Sequence, residues 1–320
     1  MNCFLPPVAF VKKFGTDNLV WPLDTSLSYT RWLATHHYEN FHVASFLLPK
    51  KLQQHFFNVY AFCRWADDLG DELGDTAQSL ELLDWWRRGV EKMYAGEPCH
   101  PVFAALAESV SEYRLPKQLF LDLIHAFEQD QRVHRYETFD ELLGYCRYSA
   151  NPVGRLVLRL WGYSDTERDR LSDATCTALQ LTNFWQDVAR DFRIGRVYLP
   201  LDVMWQHGYS VDLLAEDLRD GQARTAGRAV LRDLVHRTRE MFNEGAQLLG
   251  RVERRLSVDL NLFTEGGLAV LAKIHAQDYD TIRQRPKLGK LDRAGLMVRS
   301  TLRWLFRRTR PYRQAQHAFR

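Results

Sequence analysis

The chain has 320 residues, 46% of them hydrophobic and 26% charged, with a net charge of +3. This is the composition of a folded globular protein and excludes a disordered or collagen-like chain. No stretch of about 18 uncharged apolar residues occurs, so no membrane-spanning helix is expected. Residues 1–20 carry Lys12, Lys13 and Asp17 and no long apolar run, which argues against a secretory leader.

In chain order, residues 1–26 read as an N-terminal extension. Apolar residues at three-to-four spacing then predict helices near 27–38, 49–74, 78–95, 100–112, 116–129, 138–148, 152–161, 165–190, 211–218, 222–250 and 255–284. Pro49 and Pro116 stand at helix starts. Gly162 ends one helix ahead of a start at Ser164/Asp165, and Gly96-Glu97-Pro98 and Gly195-Arg196 are breaks. Strand-like alternation is scarce, and no βαβ rhythm or internal repeat occurs. The expectation is one all-α helical bundle over 27–284, with short loops between antiparallel neighbours. A basic tail follows over 285–320.

The densest signal is Tyr60-Ala61-Phe62-Cys63-Arg64-Trp65-Ala66-Asp67-Asp68-Leu69-Gly70-Asp71-Glu72. On a helix, Tyr60, Arg64, Asp67/Asp68, Asp71 and Asp75 share one stripe. Stacked carboxylates repel one another and call for a cation. Arg64 is one candidate and a hard divalent ion the other, since magnesium is held by one or two carboxylates plus phosphate oxygens. Asp67 and Asp71 lie about 6 Å apart along the axis. The plain alternative is a solvated acidic face.

A second helix reads Gln180-Leu181-Thr182-Asn183-Phe184-Trp185-Gln186-Asp187-Val188-Ala189-Arg190-Asp191. Gln180, Asn183, Asp187 and Asp191 share a polar face on an otherwise apolar helix, and buried polar groups need partners. Two such helices facing each other across an apolar cavity would supply an oxygen-rich magnesium or manganese site. Arg196 and Tyr198 follow in a loop suited to phosphate oxygens and able to close over a ligand. Phe41, Phe46, Phe57, Phe184 and Trp185 are candidate walls of that cavity, although each taken singly also suits plain core packing.

The five cysteines (Cys3, Cys63, Cys99, Cys146 and Cys176) form no CxxC pair and no zinc-like spacing. Reduced thiols in a cytoplasmic protein are the simplest account. There is no P-loop, GxGxxG or HExxH sequence and no Ser–His–Asp signature. What remains is a carboxylate–metal–diphosphate site over an aromatic cavity. Cations there neutralise a departing diphosphate, and aromatic faces hold the carbocation left behind.

These motifs resemble those of the squalene/phytoene synthase family. The resemblance covers roughly residues 30–290. It rests on DDLGD at 67–71 and DVARD at 187–191. It also rests on Leu47-Leu48-Pro49 leading into Tyr60-Ala61-Phe62-Cys63-Arg64, on Gln180 and Asn183, and on Arg196-Val197-Tyr198-Leu199-Pro200. The resemblance implies an isoprenoid-synthase helical bundle around a central apolar cavity and magnesium-dependent head-to-head prenyl chemistry. By carry-over, Asp67, Asp71, Asp187 and Asp191 would bind metal, with Asp68 and Asn183 as further candidate ligands. Tyr60, Arg64, Gln180 and Asn183 would line the diphosphate and cation site, with Phe41, Arg196 and Tyr198 as further substrate contacts.

Glu39-Asn40-Phe41, Ser149-Ala150-Asn151-Pro152-Val153-Gly154 and Gly266-Gly267-Leu268-Ala269-Val270-Leu271 depart from the general family pattern. They resemble the bacterial hydroxysqualene synthases of hopanoid biosynthesis. That branch implies presqualene diphosphate as substrate, supplied by an upstream presqualene diphosphate synthase, capture of the cation by water, and no NADPH. The alternatives are another head-to-head synthase, making presqualene diphosphate, squalene or phytoene, and a non-catalytic scaffold relative. The segment from Arg299 to Arg320 holds seven Arg and no acid. Val298, Leu302, Leu305 and Phe306 share one face of it, which suits either packing on the body or peripheral contact with the inner face of the membrane. Nucleic-acid binding is not expected, because the rest of the chain is net acidic and carries no such motif.

Overall fold

A computed structural model of the chain describes residues 4–17, 19–36, 48–289, 292, 295 and 296. The expected contact at Phe41, the wall candidate Phe46 and most of the basic tail lie outside the described residues. The elements are α1 (Pro7–Phe14), α2 (Leu23–His36), α3 (Lys50–Asp71), α4 (Thr76–Tyr94), α5 (Pro101–Tyr113), α6 (Lys117–Asp130) and α7 (Phe139–Ser149). They continue with α8 (Asn151–Leu160), α9 (Thr166–Arg193), α10 (Leu201–Gln206), α11 (Val211–Asp220), α12 (Thr225–Gly245), a 3-10 turn (Ala246–Gly250) and α13 (Arg254–Ala276). The all-α expectation holds: no β-strand forms among the described residues, only a single parallel bridge between Arg135 and Val197. None of the described helices is long and apolar enough to cross a membrane.

Local chemistry sets the boundaries. Asp165, Thr138 and Ser210 cap helix starts by accepting the backbone N–H of Arg168, Glu141 and Leu213. Gly162, at φ +82°, takes the left-handed turn that stops α8. Asp75 departs from expectation. It accepts the Gln78 N–H at 2.8 Å and caps α4, so it does not continue the stripe of α3, which stops at Asp71. The long helix expected over 255–284 stops at Ala276, because Asp278 and Tyr279 turn the chain back at φ +50° and +60°.

Two compact units form, Met1–Val133 with Pro152–Ser164 and His134–Asn151 with Asp165–Arg320. In the first, α3 packs against α2, α4, α5 and α6. Its core is aromatic: Trp65 and Trp86 stack at 4.9 Å and 8°, with Phe62, Phe103 and Phe120 around them. His100 sits among these rings with its Nδ1 accepting the Val102 N–H, and burial lowers its pKa to about 3. Asn58 links three helices, accepting from Thr30 at 2.7 Å and donating to the Ala105 carbonyl at 2.8 Å. At Gly89 a Cβ would run into the Phe103 ring, so glycine lets α4 and α5 approach. Gly89→Ala should therefore cost about 1–3 kcal/mol through overpacking despite the helix preference of alanine. A lowered denaturation midpoint checks this.

In the second unit α9 is the spine, packed against α12, α13 and α7. Trp185 on α9 is fully buried and donates its indole N–H to Thr238 at 2.8 Å. At Gly267 a Cβ would run into the Phe242 ring, so that ring fills the space beside α13.

Candidate active site

The first acidic motif occupies the last two turns of α3. Arg64 lies within it and is shared by three acids: Asp68 at 2.5 Å, Glu72 at 3.1 Å and Asp67 at 3.2 Å. Two adjacent aspartates thus take different roles. Asp68 turns inward, 2% exposed, and balances Arg64, whereas Asp67 is 44% exposed and Asp71 lies at the surface. Burial pushes the Asp68 carboxyl up to about 7 against the pull of Arg64, with Glu72 and Asp67 adding to the rise. Asp67 is also raised, first by burial, and Asp71 and Glu72 add to that against Arg64. Tyr60 stands half-buried one turn before Arg64.

The second motif lies on α9. Gln180, Asp187 and Asp191 are half-buried, and Asn183 is exposed. Burial first, and then Asp187, lift the Asp191 carboxyl to about 7, against the opposing pull of Arg190, Arg196 and Arg285. Asp187 carries a cation the sequence did not suggest. Arg285 places Nε on its Oδ1 and Nη2 on its Oδ2, the latter at 2.9 Å. Beside it, the Gln186 amide donates to the Pro286 carbonyl. The chain at 285–286, read from sequence as the start of a tail, thus lies directly on the motif.

Next to Asp191 is a small pocket lined by Phe184, Val188, Arg196, Tyr198 and Leu214 among others. Tyr198 stacks on Phe184 at 3.8 Å and 10°, with Tyr136 and Tyr145 about them. The sequence reading has this loop closing over a ligand, but here it is pinned. Val197 N–H donates to the His134 carbonyl at 2.8 Å, Leu201 to Tyr136 at 3.1 Å, and Asp202 to Glu137 at 2.9 Å. Of the described wall candidates, Phe184 reaches the pocket, whereas Trp185 belongs to the core and Phe57 is buried in the first unit.

The donors suit a hard cation. Both motifs offer only carboxylate and amide oxygens, and in each a guanidinium already serves as counter-cation. Among the described residues no three His, Cys, Asp or Glu side chains converge as a ready-made cage. A hard cation such as magnesium takes one or two carboxylates and completes its shell with water and phosphate oxygens. A rival arrangement also occurs. Ser109 Oγ lies 3.0 Å from His55 Nδ1, and His55 Nε2 lies 3.3 Å from Glu112. Ser109 is fully buried and also accepts from Asn58, so this relay braces α3 against α5 and offers no nucleophile.

The sequence model of the squalene/phytoene synthase family matches residues 34–292. A hydroxysqualene synthase of Rhodopseudomonas palustris is 35% identical over 257 residues, 79% of this chain and 85% of that protein. A phytoene synthase of Thermus thermophilus is 33% identical over 267 residues, 83% of this chain and 89% of that one. The crystal structure of squalene synthase HpnC from Alicyclobacillus acidocaldarius superposes with a TM-score of 0.76 at 44% identity, covering 80% of this chain and 95% of that chain. With most of its length matched by that model and with relatives above 30% identity along most of both chains, this chain belongs to the squalene/phytoene synthase family, whose members process prenyl diphosphates.

Proposed function

We propose that the chain is a hydroxysqualene synthase. It ionises presqualene diphosphate, releases diphosphate and lets water capture the rearranged cation. The observation that carries the chemistry is the Asp187/Asp191 pair on α9 beside a pocket walled by the stacked Phe184 and Tyr198 rings. Support for the branch comes from the departures at Ser149–Gly154 and Gly266–Leu271. The hydroxysqualene synthase of Rhodopseudomonas palustris supports it too.

Asp67 and Asp71 on α3, and Asp187 and Asp191 on α9, would hold magnesium. When bound, the ion neutralises the developing charge of the diphosphate. Asn183, Gln180 and Arg196 present donors to diphosphate oxygens, and Tyr60 and Arg64 do so from α3. Arg64 also keeps its acids from repelling one another. The faces of Phe184 and Tyr198 stabilise the carbocation, and the apolar side chains of Val188 and Leu214 exclude stray water. The carbon–oxygen bond to diphosphate breaks, the cyclopropylcarbinyl cation rearranges, and one water adds and gives up a proton. No reductant enters this balance, so no NADPH is required. An enzyme that condenses two farnesyl diphosphates must supply the substrate. A cytoplasmic protein touching the membrane face through its basic tail suits such a lipid.

The second reading, a phytoene or other head-to-head synthase, is favoured by the similar identity of the Thermus thermophilus relative. The third, a scaffold, leaves the clustered acids without a purpose. Incubation with magnesium and, separately, presqualene, farnesyl or geranylgeranyl diphosphate distinguishes the three. The expected result is a C30 alcohol and diphosphate from presqualene diphosphate alone. Condensation of farnesyl or geranylgeranyl diphosphate would establish the second reading, and no turnover of any of them the third.

A further inference from the structure

The chain after α13 is held at three places. At the first, Asp280 is buried and accepts the backbone N–H groups of Ala223 and Arg283 at 3.1 and 3.0 Å, with Arg228 beside it at 3.4 Å. At the third, Asp292 pairs with Lys273 of α13 at 3.0 Å. Between them Arg285 and Pro286 meet α9 at Asp187 and Gln186. Residues 280–289 thus form a strap anchored at Asp280, with Asp292 held on α13 farther along, and Arg285 and Pro286 within it bear on an acidic motif.

The middle contact has a chemical consequence. The Arg285 fork engages both oxygens of Asp187, and a metal ion needs at least one of them. A fork of two parallel N–H bonds is directional and charge-assisted, so it does not yield an oxygen without loss. The guanidinium is 47% exposed and the carboxylate 15%, so the pair lies within reach of an arriving ion.

We infer that Arg285 is a built-in counter-cation of the second motif, which a divalent ion must displace from Asp187, so that the 280–289 strap sets the metal affinity of α9. This rests on the reading of Asp187 and Asp191 as metal ligands. The strap lowers affinity for the bare ion and spares the empty motif the repulsion of two acids one turn apart. The anchors at Asp280 and Asp292 keep the guanidinium close after displacement, so it returns when the ion leaves.

The experiment is a manganese titration of the full chain without substrate, with free ion read by electron paramagnetic resonance. An Asp67→Asn/Asp71→Asn background confines binding to α9. Arg285→Gln should tighten binding by about 2- to 5-fold, the worth of a part-exposed ion pair. Arg285→Lys, which keeps the charge and loses the fork, should fall between, and it stands in should the Gln variant not fold. Adding Asp187→Asn should abolish the gain. Equal or weaker binding by Arg285→Gln overturns the inference while leaving the metal reading intact. Failure of every variant to bind manganese at millimolar concentration overturns both.

Discussion

Asp187→Asn is expected to lower turnover of the prenyl diphosphate by roughly 10²–10³-fold or more, the scale of losing one preorganised electrostatic group, with the helical circular dichroism unchanged. Asparagine keeps the volume and one oxygen but removes the charge that a divalent ion and Arg285 compete for. The fold should tolerate the change, because it also removes the i,i+4 repulsion between Asp187 and Asp191. The Arg285 pair lost is half-exposed and contributes little. Asp71→Asn should have the same effect from α3, where Asp71 lies at the surface. Diphosphate release, measured beside far-ultraviolet spectra, is the check. A variant within a few-fold of the parent rate would remove the aspartates from the mechanism.

Trp86→Ala is expected to destabilise the protein by about 3–5 kcal/mol, the largest effect of any single core substitution considered. Trp86 is fully buried and touches Trp65, Phe62, Phe103 and His100 at centroid distances of 4.9, 5.8, 4.3 and 5.1 Å. Truncation would open a cavity among rings that are already interlocked and cannot collapse into it. Trp86→Phe should cost clearly less, because the Trp86 indole N–H is buried with no hydrogen-bond partner among the described residues and phenylalanine discards that group. Urea unfolding of both variants tests the ordering. A Phe variant as damaged as the Ala variant would mean that the ring shape, and not the filled volume, holds this core.

Most of the fold was legible in the sequence because long amphipathic helices announce themselves by period. The helices that escaped are α1 and α10, of eight and six residues. Two turns or fewer give too few repeats for a face to be recognised, and both begin after proline, which reads as a loop. The end of α13 was overrun because nothing before residue 278 forbids helix; the stop comes from left-handed residues that are not glycine.

At the site, the i,i+4 aspartates were legible and their neighbours were not. Asp67 and Asp68 are about 100° apart on the helix, so one faces outward and the other pairs with Arg64, yet a sequence does not say which. Phe184 and Trp185 pose the same ambiguity: one ring reaches the pocket and the other the core. Arg285 was missed for another reason. It lies 98 residues from Asp187, next to a proline and ahead of an arginine-rich segment, and tertiary contact alone reveals its partner.

The pinned segment beneath Tyr198 has one more consequence. The bonds that fix it join positions far apart along the chain, Phe139 and Asp202 being 63 residues apart. Closing so long a loop has to precede any gain from the contacts it makes. The aromatic wall is therefore absent from a nascent or half-unfolded chain, even one whose α9 has already coiled. Such a chain has acids but no shelter, so under the proposed function it should not turn over substrate until the whole unit has folded.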